Sequence, residues 1–229
     1  MNWNLLLFGV YPYIAGTIFL VGSLIRYDRE QYGWTTYSSQ LLASRRYMMW
    51  ASNLWHIGVL MLFAGHFVGL LTPVFEWLGF SPIQHQWVAS SAGITFGILA
   101  MIGGIMLLLR RMLNPKVRAS GRSGDMFILL WLLATLLLGL LTQTVTVPDL
   151  VAGNVANMEA LGSYLKGVAT FQPHPALLGG IPVIYKLHML FGMTMFLLFP
   201  FTRLVHIWTA PFNYLLRPYE VVRAKQRAG

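Results

Sequence analysis

ASNLWHIGVLMLFAGHFVGLLTP, residues 51–73, decides the class of fold. It is apolar for more than the roughly 20 residues that a membrane-spanning helix needs, holds no charged side chain, and carries two histidines, His56 and His66. A second stretch, KLHMLFGMTMFLLFPFTRLVHIW at 186–208, again has a long apolar centre and two histidines, His188 and His206. Three more apolar runs bring the candidate spans to five: 5–25, 51–71, 88–109, 126–142 and 184–208. Of the 229 residues 56% are hydrophobic and 10% charged, against about 45–50% and about 25% in soluble domains. Such a chain cannot keep its surface wetted, and five spans with their loops leave no room for a soluble domain of ordinary size. The expected fold is an all-α bundle of five transmembrane helices, one membrane domain over 1–229.

Prolines mark several span ends: Pro73 follows the second, Pro115 the third, and Pro182 precedes the fifth. Pro12 is expected to mark where the regular first helix starts. Pro200, inside the fifth span, is expected to kink that helix or free a carbonyl. Residues 145–180 are more polar and read as a long external loop with one short helix at 157–168. Neither a repeat nor a low-complexity tract occurs. Charge sets the orientation. Arg26, Arg29, Arg45, Arg46, Arg110, Arg111, Lys116, Arg118, Arg122, Arg203, Arg217, Arg223, Lys225 and Arg227 fall on one side of five alternating helices. Only Lys166 and Lys186 fall on the other. The positive-inside rule then puts the N-terminus outside and the C-terminus in the cytoplasm. No basic residue precedes the first apolar run and Arg26 follows it, so this run reads as a retained helix rather than a cleaved signal. The net charge of +9 points to anionic lipid headgroups and a cytoplasmic protein partner, not to nucleic acid.

The chain has no cysteine, which excludes disulfides, thiolate-bound clusters and covalent haem attachment on this chain. Four histidines confined to two spans are therefore the candidate chemistry, since ionisable residues within a bilayer are rare and costly. Because the second and fifth spans run in opposite directions, His66 pairs with His188 near the outer face and His56 with His206 near the inner face. Each pair can hold one haem iron between two imidazoles. One spacing resists: ten residues rise about 15 Å on an ideal helix and eighteen about 27 Å. At roughly 100° per residue, His188 and His206 share a stripe while His56 and His66 differ by about 80°. Tilt and a kink at Pro200 have to absorb the difference. The same four histidines would also serve a metal or proton transporter, although such proteins show repeats or broken midplane helices.

Around these pairs, Gly58, Gly65, Gly69 and Gly192 would let a flat ring approach, or would pack helices together. Arg110, Arg111 and Arg203, near the inner face, can pair with haem propionates or anchor headgroups. His85, flanked by Gln84 and Gln86 just before the third span, is the candidate acceptor for a quinol proton, because histidine titrates near neutral pH. Asp125, at a helix end, is the carboxylate nearest to the membrane interior.

YPYIAG at 11–16, Arg26 to Asp28 with Gln31 and Tyr32, and the two histidine-bearing stretches resemble the gamma subunit of the membrane-bound respiratory nitrate reductase. The resemblance runs over nearly the whole chain. It implies a five-helix di-haem cytochrome b in the cell (inner) membrane of a bacterium or archaeon. It also implies two haem b groups, with His66 and His188 on the outer iron and His56 and His206 on the inner one. Quinol from the quinone pool would be oxidised near His66, Gly69 and His85, and electrons delivered to a cytoplasmic iron–sulfur (beta) subunit and then to the molybdenum catalytic (alpha) subunit that reduces nitrate. Family members can carry a lysine in the loop before the third helix; this chain has His85 and Gln86 there. A di-haem anchor of a formate dehydrogenase or hydrogenase would show the same histidine logic.

Overall fold

The computed structural model describes residues 3–30, 39 and 42–209. Gln31 and Tyr32 of the resembling motif, and Arg217, Arg223, Lys225 and Arg227 of the charge pattern, lie outside the described residues. Every regular element among the described residues is helical. Five helical stretches are long and apolar enough to cross a membrane: Trp3–Glu30, Arg45–Leu71, Pro82–Leu113, Ser123–Val151 and Val183–Phe201. The main α-helices within them are α1 (Tyr11–Glu30), α2 (Arg45–His66), α3 (Pro82–Leu113), α4 (Ser123–Val151) and α6 (Val183–Leu198). Between the last two lies α5 (Ala156–Ala169), the short helix expected within the polar stretch.

Contacts fix an up-and-down order. On α2 and α3, Gly58 meets Ala100 and Gly103 meets Trp55, while Tyr47 donates to the Met106 carbonyl at 2.9 Å, so these helices are antiparallel. Ser90 on α3 donates to Gln143 on α4 at 2.5 Å. The Trp131 indole of α4 donates to the Phe191 carbonyl of α6 at 3.1 Å and stacks on the Phe191 ring. Tyr11 and Arg26 of α1 bond Thr194 and the Pro200 carbonyl respectively, which makes α1 parallel to the fifth span. Arg26, Arg45, Arg110, Arg122 and Arg203 therefore share one end of the bundle, and Lys166 with Lys186 the other. We call these the basic and the opposite end.

Proline and polar side chains explain where the observed helices depart from the apolar runs. A π-helical turn at Leu6–Val10 gives way to regular α-helix at Tyr11, next to Pro12 as expected. The fourth helix does not end near 142 but continues to Val151, with Pro148 inside it. The polar residues there satisfy themselves in the helix: Thr142 donates to the Gly139 carbonyl and Thr146 to that of Thr142. Thr146 also shares a 2.7 Å hydrogen bond with the Tyr185 hydroxyl of α6. Small polar groups that bond back to their own helix or across to a neighbour are compatible with a membrane interior. The third helix likewise starts earlier than 88, because Ser81 and Gln84 form a capping box before Pro82.

At the opposite end, α5 is held down by Tyr164, which is 1% exposed and donates its hydroxyl to the Phe8 carbonyl at 2.8 Å. It packs with Phe8, Leu178 and Ile181. Tyr164→Phe strands that carbonyl, at a cost of about 1–3 kcal/mol, and proteolysis of 152–180 in the folded protein is expected to accelerate accordingly. Burial pushes the Tyr164 phenol above its ordinary value. The unfolded chain therefore gives up this proton first, and the stabilisation is complete below pH of about 10 and fades above it. The variant should lose that alkaline sensitivity; an unchanged pH dependence would contradict the assignment.

Candidate functional site

The structure brings the four membrane histidines together in the pairs expected from helix direction. The rings of His66 and His188 have centres 6.0 Å apart, with their planes 39° from parallel. Those of His56 and His206 are 6.3 Å apart at 71°. An imidazole nitrogen binds a first-row metal at roughly 2.0–2.1 Å, and with ~1 Å from nitrogen to ring centre on each side, two imidazoles on opposite faces of one metal stand about 6 Å apart. Both pairs have that spacing.

Hydrogen bonds fix the tautomer. Nδ1 of His56 lies 2.7 Å from the Ser52 carbonyl and that of His66 2.7 Å from the Leu62 carbonyl. Nδ1 of His188 lies 3.0 Å from the Thr135 carbonyl and that of His206 2.6 Å from the Arg203 carbonyl. A carbonyl only accepts, so each Nδ1 carries the proton and each neutral ring keeps its lone pair on Nε2. This is the outer-shell arrangement that orients metal-binding histidines and raises their basicity. Three of these carbonyls belong to the histidine's own span. The fourth, that of Thr135, is on α4, and Gly139 makes the approach possible: a Cβ there would stand 2.9 Å from Cε1 of His188. A backbone acceptor on a neighbouring helix has no signature in sequence, and neither does the glycine that admits it.

The mismatch between ten and eighteen residues disappears because the fifth span is not one straight helix. The α-helix stops at Leu198, a 3-10 turn covers Phe199–Phe201, Thr202 is extended, and His206 rides on a separate 3-10 segment, Arg203–Thr209. The break falls at Pro200, as expected, and the freed Pro200 carbonyl accepts from Arg26. A second irregularity follows His66 directly: Phe67–Leu71 is a π-helix, a distortion that clusters at functional sites.

The remaining candidates divide. A Cβ on Gly65 or on Gly192 would meet nothing within 4 Å, whereas one on Gly58 would run into the backbone of α3. Gly65 and Gly192 thus face open space, and Gly58 is a helix-packing residue. A Cβ on Gly69 would lie 3.4 Å from Nε2 of His85, which places His85 one turn beyond His66. The His85 ring stacks on Phe75, with centres 4.1 Å apart, within electrostatic reach of Glu76 and Lys166, which face each other at 4.0 Å.

Arg110 is buried, and its guanidinium donates to the carbonyls of Ser39 at 2.7 Å and Ser44 at 3.1 Å, so it clamps the chain entering α2. Arg203 pairs with Asp125 at 3.6 Å, and Arg111 feels both of them. This places two guanidinium groups and the Asp125 carboxylate at the basic end beside His206. Among the described residues no three or more His, Cys, Asp or Glu side chains converge in a way that could hold a metal ion; the histidines come in twos.

The nitrate reductase gamma subunit family model matches residues 4–225. The chain is 45% identical to the respiratory nitrate reductase 1 gamma chain of Escherichia coli (strain K12), over 97% of this chain and 98% of that one. It is 42% identical to the respiratory nitrate reductase 2 gamma chain of the same strain, with the same coverage. It is 34% identical to the nitrate reductase gamma chain of Bacillus subtilis (strain 168), over 96% and 98%.

Proposed function

Since the chain belongs to the nitrate reductase gamma subunit family, we propose that it is the membrane cytochrome b of a quinol:nitrate oxidoreductase, with the basic end in the cytoplasm. The observation that carries this reading is the two facing histidine pairs, each ring fixed by a backbone carbonyl. His66 and His188 would hold the outer b-type haem, and His56 and His206 the inner one. When bound, the two groups supply one-electron carriers at two depths of the membrane. The relatives reported above carry nitrate reductase names, which favours this reading over a formate dehydrogenase or hydrogenase anchor.

The chain's own residues do the rest. Each carbonyl fixes one imidazole so that only Nε2 can act as a ligand. Gly65 and Gly192 face open space, and Gly69 lets His85 stand close to His66. Quinol oxidation releases two electrons and two protons. His85 takes the two protons one after the other at the opposite end, within electrostatic reach of Glu76 and Lys166, and passes each outward before it accepts the next. Electrons leave at the basic end, where Arg111 and Arg203 flank the inner pair and can meet propionates. There the cytoplasmic iron–sulfur (beta) subunit docks and feeds the molybdenum (alpha) subunit. The location is the cell (inner) membrane.

General acid–base groups contribute about 10²–10⁴-fold. His85→Gln is accordingly expected to lower quinol-driven turnover by on the order of 10²-fold and to flatten its pH profile near neutrality, with haem content unchanged. Steady-state rates across pH on the purified complex test this. Wild-type turnover would remove His85 from the proton path, and loss of haem would make it a structural residue instead. The proposal as a whole is tested by pyridine haemochrome and reduced-minus-oxidised spectra of the purified protein, which should show two b-type haems per chain.

A further inference from the structure

We propose that Arg26 is a positioning residue for the inner pair: by clamping the broken backbone of the fifth span from α1, it sets where His206 stands. The α-helix stops at Leu198 and the turn at Phe199–Phe201 gives way to extended Thr202, so the carbonyls at this helix end need donors from outside it. Both of those that matter are taken by one nitrogen. Nη1 of Arg26 donates to the Pro200 carbonyl at 2.7 Å and to the Thr202 carbonyl at 2.9 Å. Thr202 is the extended residue at which the chain turns into the segment carrying His206. Glu30, one turn on, steadies the guanidinium at 3.7 Å.

A second contact presses on the same point. A Cβ on Gly22, one turn before Arg26, would stand 2.8 Å from Cγ of Pro200, so α1 packs directly against the break and only glycine fits. From the other side Asp125 holds the Arg203 side chain at 3.6 Å, and the Arg203 carbonyl accepts from Nδ1 of His206. The ligand is thus mounted on a short segment braced by two neighbouring helices. Its partner needs no such brace, because His56 lies inside the continuous helix α2 and bonds the Ser52 carbonyl of its own preceding turn. Loosening the clamp should therefore disturb the inner pair and spare the outer one.

This inference rests on the di-haem reading above, and its test separates the two. In the purified complex, Arg26→Gln is expected to keep the outer haem at wild-type stoichiometry, while the inner one is lost or shows a shifted midpoint potential and an altered low-spin resonance. Gly22→Ala should act in the same direction, and Arg26→Lys should recover part of the wild-type signal. Both haems unchanged in Arg26→Gln and Gly22→Ala, or both lost alike, would overturn the assignment. A readout independent of haem is amide exchange. Residues 199–209 should exchange about tenfold faster in Arg26→Gln, the factor matching one net hydrogen bond, with 45–66 unchanged. Unaltered exchange at 199–209 would sink the clamp. A wild-type protein without haem would sink the di-haem reading instead and leave the exchange rates to decide on Arg26.

Discussion

Replacing His188 with alanine is expected to leave one b-type haem per chain in place of two and to reduce quinol-driven nitrate reduction to background. The effect is large because a two-ligand site has nothing in reserve. His66 faces His188 across 6.0 Å, and no third His, Cys, Asp or Glu converges there among the described residues. His188 is also the ring whose orientation depends on another helix, through the Thr135 carbonyl and the space left by Gly139. Gly139→Ala should give a weaker version of the same phenotype, since its Cβ presses on Cε1 of His188 without removing the ligand. The inner pair, at the far end of α2, should keep its haem in both variants. A small reductant that donates directly to the soluble subunits should still drive nitrate reduction. Spectroscopic haem counts together with the two activities check the result, and retention of both haems in His188→Ala would contradict the pairing.

The second large effect is expected at the crossing of α2 and α3. A Cβ on Gly58 would stand 2.6 Å from the Ala100 nitrogen and 2.7 Å from the Phe96 carbonyl oxygen; one on Gly103 would collide with the backbone of Trp55 and Ala51. Ala51 and Ala100 are themselves fully buried, so neither side has a flexible chain end that could give way. Overpacking a closed contact costs about 1–3 kcal/mol even where side chains can shift, and here backbone meets backbone. Gly58→Leu or Gly103→Leu must push the helices apart and carry His56 and His66 away from their partners. Both haems should be lost and little protein should accumulate in the membrane. Gly16→Leu is the control, because a Cβ there meets nothing within 4 Å. Membrane yield and haem content of the three variants decide the matter, and wild-type values for Gly58→Leu would show that the crossing tolerates side chains.

Much of this was legible in the residues. The five spans and the two histidine pairs follow from hydropathy and from the alternation of helix direction, because both are properties of the chain at the scale of whole segments. What could not be read lies at a finer scale. Thr146 looks like part of a loop until its hydroxyl is seen bonding within α4 and to Tyr185. Pro200 announces a break but not what takes up the freed carbonyl, and that donor, Arg26, is about 170 positions away in the chain. A guanidinium suits a propionate and a pair of carbonyls equally, so the contacts of Arg110 with the Ser39 and Ser44 carbonyls have no signature in its residue type. His85 was recognisable as a titratable group near the outer pair, whereas its stacking on Phe75 and its closeness to Gly69 depend on the π-helical turn after His66.

The most direct test of the central claim is the haem stoichiometry and axial ligation of the wild-type chain, by pyridine haemochrome and electron paramagnetic resonance on the purified complex. The histidine pairs predict two b-type haems per chain, each low-spin with two imidazole ligands. A folded preparation with no haem, or with haem whose axial ligands are not two imidazoles, would contradict the account.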